Sequence, residues 1–221
     1  MDVSNFVQTL AIYALPVLFA ITLHEAAHGY VARHFGDLTA YAQGRISLNP
    51  ARHIDLVGTI LVPIAILVVS KLAGAGGYLF GWAKPVPVNY SALKNPKRDM
   101  MWVAAAGPAS NLVMTVAWAL LYKLGSSFPA GEYSTPLKLM SVAGIEVNVV
   151  LMLLNLLPIL PLDGGRIVAS LLPARASWQY SRLEPWGFPI LLLLMFSGYL
   201  GAILAPMVRT SFRLIGTVFH F

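Results

Sequence analysis

The sequence predicts an all-α polytopic membrane protein, on three observations. Hydrophobic residues make up 57% of the 221-residue chain and charged residues only 11%, far below the roughly 25% charge usual in soluble domains. The apolar residues fall in runs of about 20, the length that crosses a hydrocarbon core of about 30 Å. The breaks between the runs carry the glycines, prolines and charges. The net charge of +6 does not indicate a nucleic-acid partner. The bases are scattered through the connecting segments and never form an aromatic-interleaved patch, and basic residues beside spanning helices suit lipid head groups.

About five spanning helices are expected. The first runs from Phe6 to Phe35 and stops at Gly36-Asp37. It lacks a basic leader and reads as a retained helix rather than a cleaved peptide. The second covers about 56–72. A segment with two prolines and alternating valines follows, and 77–90 reads as a short membrane-associated strand or hairpin. The third helix is about 99–124 and the fourth about 137–157, ending before Pro158 and Pro161. A short helix over 164–172 and a fifth span over 185–207 complete the pattern. The tail 208–221 is mildly amphipathic and is expected along the interface. With five spans the basic residues divide seven against eight, so they fix no orientation. No long linker or repeat divides the chain, which reads as one transmembrane domain over 1–221.

The chemistry centres on His24-Glu25-Ala26-Ala27-His28. Residues four apart share one helix face, so two imidazoles can meet one metal ion. Glu25 sits about 100° round the helix from His24 and can reach a water there. This is the content of the H-E-x-x-H pattern: two zinc ligands and a general base. The chain has no cysteine, so any metal site uses His, Asp, Glu, Asn or backbone oxygen. Two histidines and a glutamate are costly inside an apolar helix, which favours function over packing.

Catalytic zinc usually takes three protein ligands. His34 falls ten residues after His24, a spacing known in other zinc peptidases. However, the glycine that lets such a chain turn back is replaced by Val31, and on a continuous helix His34 points about 120° away from His28. Asp163 is the better third ligand. It follows an apolar helix and two prolines, and precedes Gly164-Gly165. Irregular backbone at membrane depth is tolerated only where it is buried or lines a wet cavity. Asp163 also stands where it could cap the helix beginning at Gly164, and the two roles are compatible.

His24-Glu25-Ala26-Ala27-His28-Gly29, then Ala106-Gly107-Pro108-Ala109-Ser110-Asn111, then Asn155-Leu-Leu-Pro158-Ile-Leu-Pro161-Leu162-Asp163-Gly164-Gly165 occur in that order. Together they resemble the site-2 protease family of intramembrane zinc metallopeptidases, in a compact form without a PDZ or CBS domain. The resemblance implies one zinc ion bound by His24, His28 and Asp163, with Glu25 activating water. It implies transmembrane segments as substrates, cut within or near the bilayer, and a multi-pass protein of a prokaryotic cell membrane. It likens the segment around 77–90 to a strand offered to unwound substrate. Asn111, Asn148 and Asn155 are candidates for orienting the substrate backbone or the oxyanion, against interhelical hydrogen bonding as the alternative. Glu146 receives no role and is expected near the interface. Two other functions stay open: an inactive scaffold or chaperone-like protein with a degenerate site, and a membrane metal transporter or sensor.

Overall fold

The computed structural model describes residues 3–62, 65, 83–129, 131 and 133–220. Eight α-helices lie among them: α1 Val3–His34, α2 Thr39–Ala42, α3 Pro96–Ser127, α4 Ser134–Asn155, α5 Asp163–Leu171, α6 Ala174–Ser181, α7 Glu184–Phe196 and α8 Tyr199–Phe219. Within the described residues, four helices are long and apolar enough to cross a membrane: Val7–His34, α3, α4 and α8.

The helices α1, α3 and α4 form the heart of the bundle. Met114, Trp118 and Ala119 of α3 pack on Ile145, Val149 and Leu153 of α4. The two helices approach closely because Gly144 lies under the Trp118 ring, where a Cβ would collide with the indole. Such small-residue contacts drive helix association in lipid, where no hydrophobic effect is available.

Two expectations need correction here. The fifth span does not run over 185–207. The chain breaks after Phe196, where Gly198 takes a left-handed conformation at φ +79°, open to glycine without a Cβ penalty. The tail is therefore no separate interfacial segment but the second half of α8. Its amphipathic stripe, Leu204, Val208, Phe212, Ile215 and Phe219, packs on the α3–α4 core.

The second correction concerns 77–90. Its first part, 77–82, lies outside the described residues. Residues 83–89 form neither helix nor strand, and the described residues contain no strand at all. Pro85 and Pro87 have no N–H to give. The amides of Lys84, Val86 and Asn89 are already donated to the His53 carbonyl (2.8 Å), Glu25 Oε2 (2.8 Å) and Asp37 Oδ2 (2.6 Å). With two prolines and three amides committed to these partners, the segment forms a strap bonded to α1 and its flank. The expected helix over 56–72 is described at its start, where Leu56–Leu61 forms a π-helical turn. Residues 63, 64 and 66–72 lie outside the described residues.

Asp37 secures this strap. It is fully buried just past the end of α1 and also accepts the Thr39 amide at 2.9 Å. Burial alone would push its carboxyl pKa up, but the donors from Thr39 and Asn89 outweigh that and hold it below the usual carboxylate value. A depressed folded-state pKa gives stability that is present above the unfolded value of about 3.9 and is lost as pH falls through the folded value. The protein should therefore lose thermal stability in detergent between about pH 5 and pH 3. Asp37→Asn should be less stable at pH 6 and lose less over that interval. Equal acid sensitivity of the two proteins would remove Asp37 from the account.

Candidate metal centre

α1 and the start of α5 bring His24, His28 and Asp163 together. All three are buried, and their ligand atoms lie within 4.8 Å of one another. His24 Nε2 is 3.1 Å from His28 Nε2 and 3.2 Å from Asp163 Oδ2, while His28 Nε2 is 3.4 Å from Asp163 Oδ1. Asp163 is the first residue of α5. Leu162 occupies the cap position and no side chain caps the helix, so the carboxylate is turned to the histidines rather than to the amides of α5.

The hydrogen bonds behind the imidazoles fix their tautomers. His28 Nδ1–H donates to the Val103 carbonyl at 2.7 Å, which can only accept. His24 Nδ1 meets Asn111 Oδ1 at 2.6 Å. Asn111 is oriented in turn, because its Nδ2 donates to Asn148 Oδ1 at 2.9 Å. Asn148 Nδ2 donates to the Gly144 carbonyl at 2.8 Å. A backbone acceptor at one end thus determines the direction of every bond up to His24, whose Nδ1 must carry the proton. Both Nε2 atoms are then left with lone pairs facing each other and a carboxylate.

Asp163 Oδ2 is buried and has no hydrogen-bond donor. Lone pairs and carboxylate oxygens this close repel one another, and a shared divalent cation satisfies all of them together. Two imidazoles and one carboxylate are also a ligand set of catalytic zinc. The residues present therefore fit the ion.

Several parts hold Asp163 in place. Side chains at Gly164 or Gly165 would strike the backbone of 156–160, and one at Gly187 of α7 would strike the Leu160 carbonyl. The Tyr180 hydroxyl of α6 donates to the Pro158 carbonyl at 2.8 Å, and burial pushes that phenol above its ordinary pKa. Lys97 Nζ donates to the Leu172 carbonyl at the far end of α5.

The other sequence candidates take varied places. Glu25 is half-buried beside the ligands, and its Oε2 accepts the Val86 amide of the strap. Asn111 and Asn148 are fully buried and joined to each other. The structure gives them no opening to substrate and places them behind His24 instead. Asn155, half-buried at the end of α4, donates its amide to the Leu151 carbonyl at 3.0 Å. His34 is exposed at the end of α1, edge-on to Phe35, away from the ligands. Three features escaped sequence reasoning: the Val86 amide, the Val103 carbonyl and Gly107. The first two are backbone groups and leave no side-chain signal. Gly107 was visible only as part of a recurring small-residue element.

The relay makes a prediction. Asn148→Leu removes the acceptor that orients Asn111, and Asn111 can then turn its amide toward His24. Loss of such outer support typically costs 10- to 100-fold in metal affinity. Competition with a chelator of known zinc affinity should show a drop of that order, and an unchanged affinity would make the relay mere packing.

Comparison with known proteins agrees with this geometry. The model of peptidase family M50 matches residues 122–198, the stretch that holds the Asp163 turn. The Bacillus subtilis (strain 168) protein named "Putative zinc metalloprotease YwhC" is 37% identical over 200 residues, covering 89% of this chain and 85% of the relative. Rip2 of Mycolicibacterium smegmatis (strain ATCC 700084 / mc(2)155), under the same designation, is 26% identical over 180 residues, 81% of this chain and 64% of the relative. Rip2 of Mycobacterium tuberculosis (strain ATCC 25618 / H37Rv) is 26% identical over 153 residues, 66% of this chain and 52% of its own. No solved structure matches the chain. With the H-E-x-x-H helix, the Leu-Asp-Gly turn and a relative of this likeness along most of its length, the chain belongs to peptidase family M50, the site-2 protease family of zinc metallopeptidases.

Proposed function

We propose that the chain is a single-domain, multi-pass endopeptidase of a prokaryotic cell membrane that cuts transmembrane segments of other proteins within or near the bilayer. The observation that carries this reading is the buried face on which His24 Nε2, His28 Nε2 and the Asp163 carboxylate converge, with Glu25 next to it on a membrane-spanning helix.

His24, His28 and Asp163 would hold the zinc ion. Bound there, zinc acidifies water and polarises the scissile carbonyl. Glu25 takes the proton of the attacking water and passes it to the leaving nitrogen as the peptide bond breaks. The Val86 amide holds one carboxylate oxygen of Glu25, which leaves the other to accept the proton. In this reading Asn155, at the end of α4, meets the substrate backbone.

An inactive scaffold has no need of a buried cluster of ligand atoms. A metal transporter needs several sites along a path, and among the described residues one such cluster is found. The test is cleavage of a reporter transmembrane helix by the purified, reconstituted protein. Cleavage should stop with a zinc chelator and return with added zinc. Undiminished cleavage in chelator would rule out the proposed chemistry, and zinc-replete protein that cuts no reporter would favour the scaffold.

A further inference from the structure

Glu146 lies midway along α4, not near its end, and faces a groove between α1 and α4. The groove has a volume of about 280 Å³, and its walls include Tyr13, Val17, Ile21, Glu146, Val150 and Leu154. Tyr13 and Glu146 are its polar members. The Tyr13 hydroxyl donates to Glu146 Oε2 at 2.7 Å.

A carboxyl group at this depth is expensive, and in a membrane protein it marks function by default. A carboxylate offers about four lone-pair positions, and the phenol satisfies one. Glu146 remains exposed to the groove, so its spare accepting capacity faces whatever lies there. Lipid tails have no donor to give.

The position of the groove indicates its occupant. Tyr13, Val17, Ile21, His24 and His28 are spaced four, four, three and four apart, and so share one face of α1. Tyr13 is eleven residues from His24, about 16 Å along the helix. The two walls run in the same direction, since α1 and α4 both run against α3: His24 meets Asn111 where His28 meets Val103, and Asn148 meets Asn111 where Gly144 meets Trp118. The groove therefore ends about one turn short of the metal ligands. A helix lying in it would present its end to the site, where the strap and the Asp163 turn begin.

We infer that this groove docks the transmembrane helix of a substrate, and that Tyr13 and Glu146 recognise on it a side chain that donates a hydrogen bond. The inference rests on the peptidase reading for the identity of the occupant. The recognised residue sits about eleven positions from the scissile bond if the intervening chain is helical.

The test pairs two measurements on the full-length protein in liposomes. In the first, a photo-crosslinking residue replaces Val150 in zinc-loaded Glu25→Gln protein, and a reporter transmembrane helix is added. The reporter should be captured. In the second, reporters carrying serine or alanine at successive positions are offered to protein with Glu25 intact. Serine about eleven residues from the cut should raise kcat/KM roughly fivefold over alanine through KM, the size expected of one interhelical hydrogen bond. Glu146→Leu should erase the serine preference while still binding one zinc per chain.

A serine-to-alanine ratio that is the same with and without Glu146 overturns the proposal. So does capture of a second copy, or of residues 63–82 of the same chain, in place of the reporter. If no reporter is cut at all, the peptidase reading fails, while the crosslink still decides whether a helix docks here.

Discussion

Gly107→Ala should abolish stoichiometric zinc binding. Gly107 of α3 faces the ligands so closely that a Cβ there would stand 2.5 Å from His28 Nε2 and 2.6 Å from His24 Nε2. A methyl group at that spot fills the space between the two nitrogens that the ion must occupy. Relief would require α3 to retreat from α1, which would pull Asn111 and the Val103 carbonyl away from the histidines they orient. Overpacking of this kind typically costs a further 1–3 kcal/mol of stability. Gly201→Ala is the control. No atom lies within 4 Å of a Cβ there, and within a helix alanine is favoured over glycine by up to about 1 kcal/mol. Gly107→Ala should therefore lose its zinc and unfold at a lower temperature, while Gly201→Ala keeps its zinc and unfolds at or above the parent temperature. A Gly107→Ala protein with one zinc per chain would show that the ligand face lies elsewhere.

Glu25→Gln should lower reporter cleavage roughly a thousandfold or more, within or beyond the range for loss of a positioned general base, and leave zinc bound. Gln keeps the size of Glu and retains a carbonyl oxygen that can accept the Val86 amide, so the strap has no reason to move. What disappears is the ability to take a proton. The zinc content should match that of the parent protein, because Glu25 is not among the three residues that cluster to hold the ion. An active Glu25→Gln protein would sink the mechanism. An inactive one that had also lost zinc would recast Glu25 as a structural support.

Much of the centre was legible in the sequence because its chemistry is costly in lipid. His24, Glu25 and His28 interrupt an apolar helix at ligand spacing, and Asp163 is a carboxylate on irregular backbone between apolar segments. Charge in the wrong solvent is a strong signal. The supporting parts are neutral and carry little of it. Asn111 and Asn148 were legible as polar residues in apolar helices, but whether they face substrate or a ligand depends on how α3 and α4 rotate about their axes. That rotation is set by Gly144 under Trp118 and by Gly107 against the histidines, contacts between segments far apart in sequence. The strap over 83–89 was misread for a related reason. Alternating valines and prolines suit a strand, but the partners of this segment turned out to be Asp37, Glu25 and His53 rather than another strand. The helix break at Gly198 was hidden by hydropathy, since both flanking helices are apolar.

The most direct test of the account is X-ray absorption at the zinc edge on the purified protein, with metal content measured on the same sample. One zinc per chain is predicted, coordinated by two imidazole nitrogens with oxygen completing the shell. Asp163→Ala should lose an oxygen scatterer or the metal itself, and His34→Ala should leave the spectrum unchanged. Zinc bound through a third imidazole, or a full complement of zinc unaltered by Asp163→Ala, would contradict it.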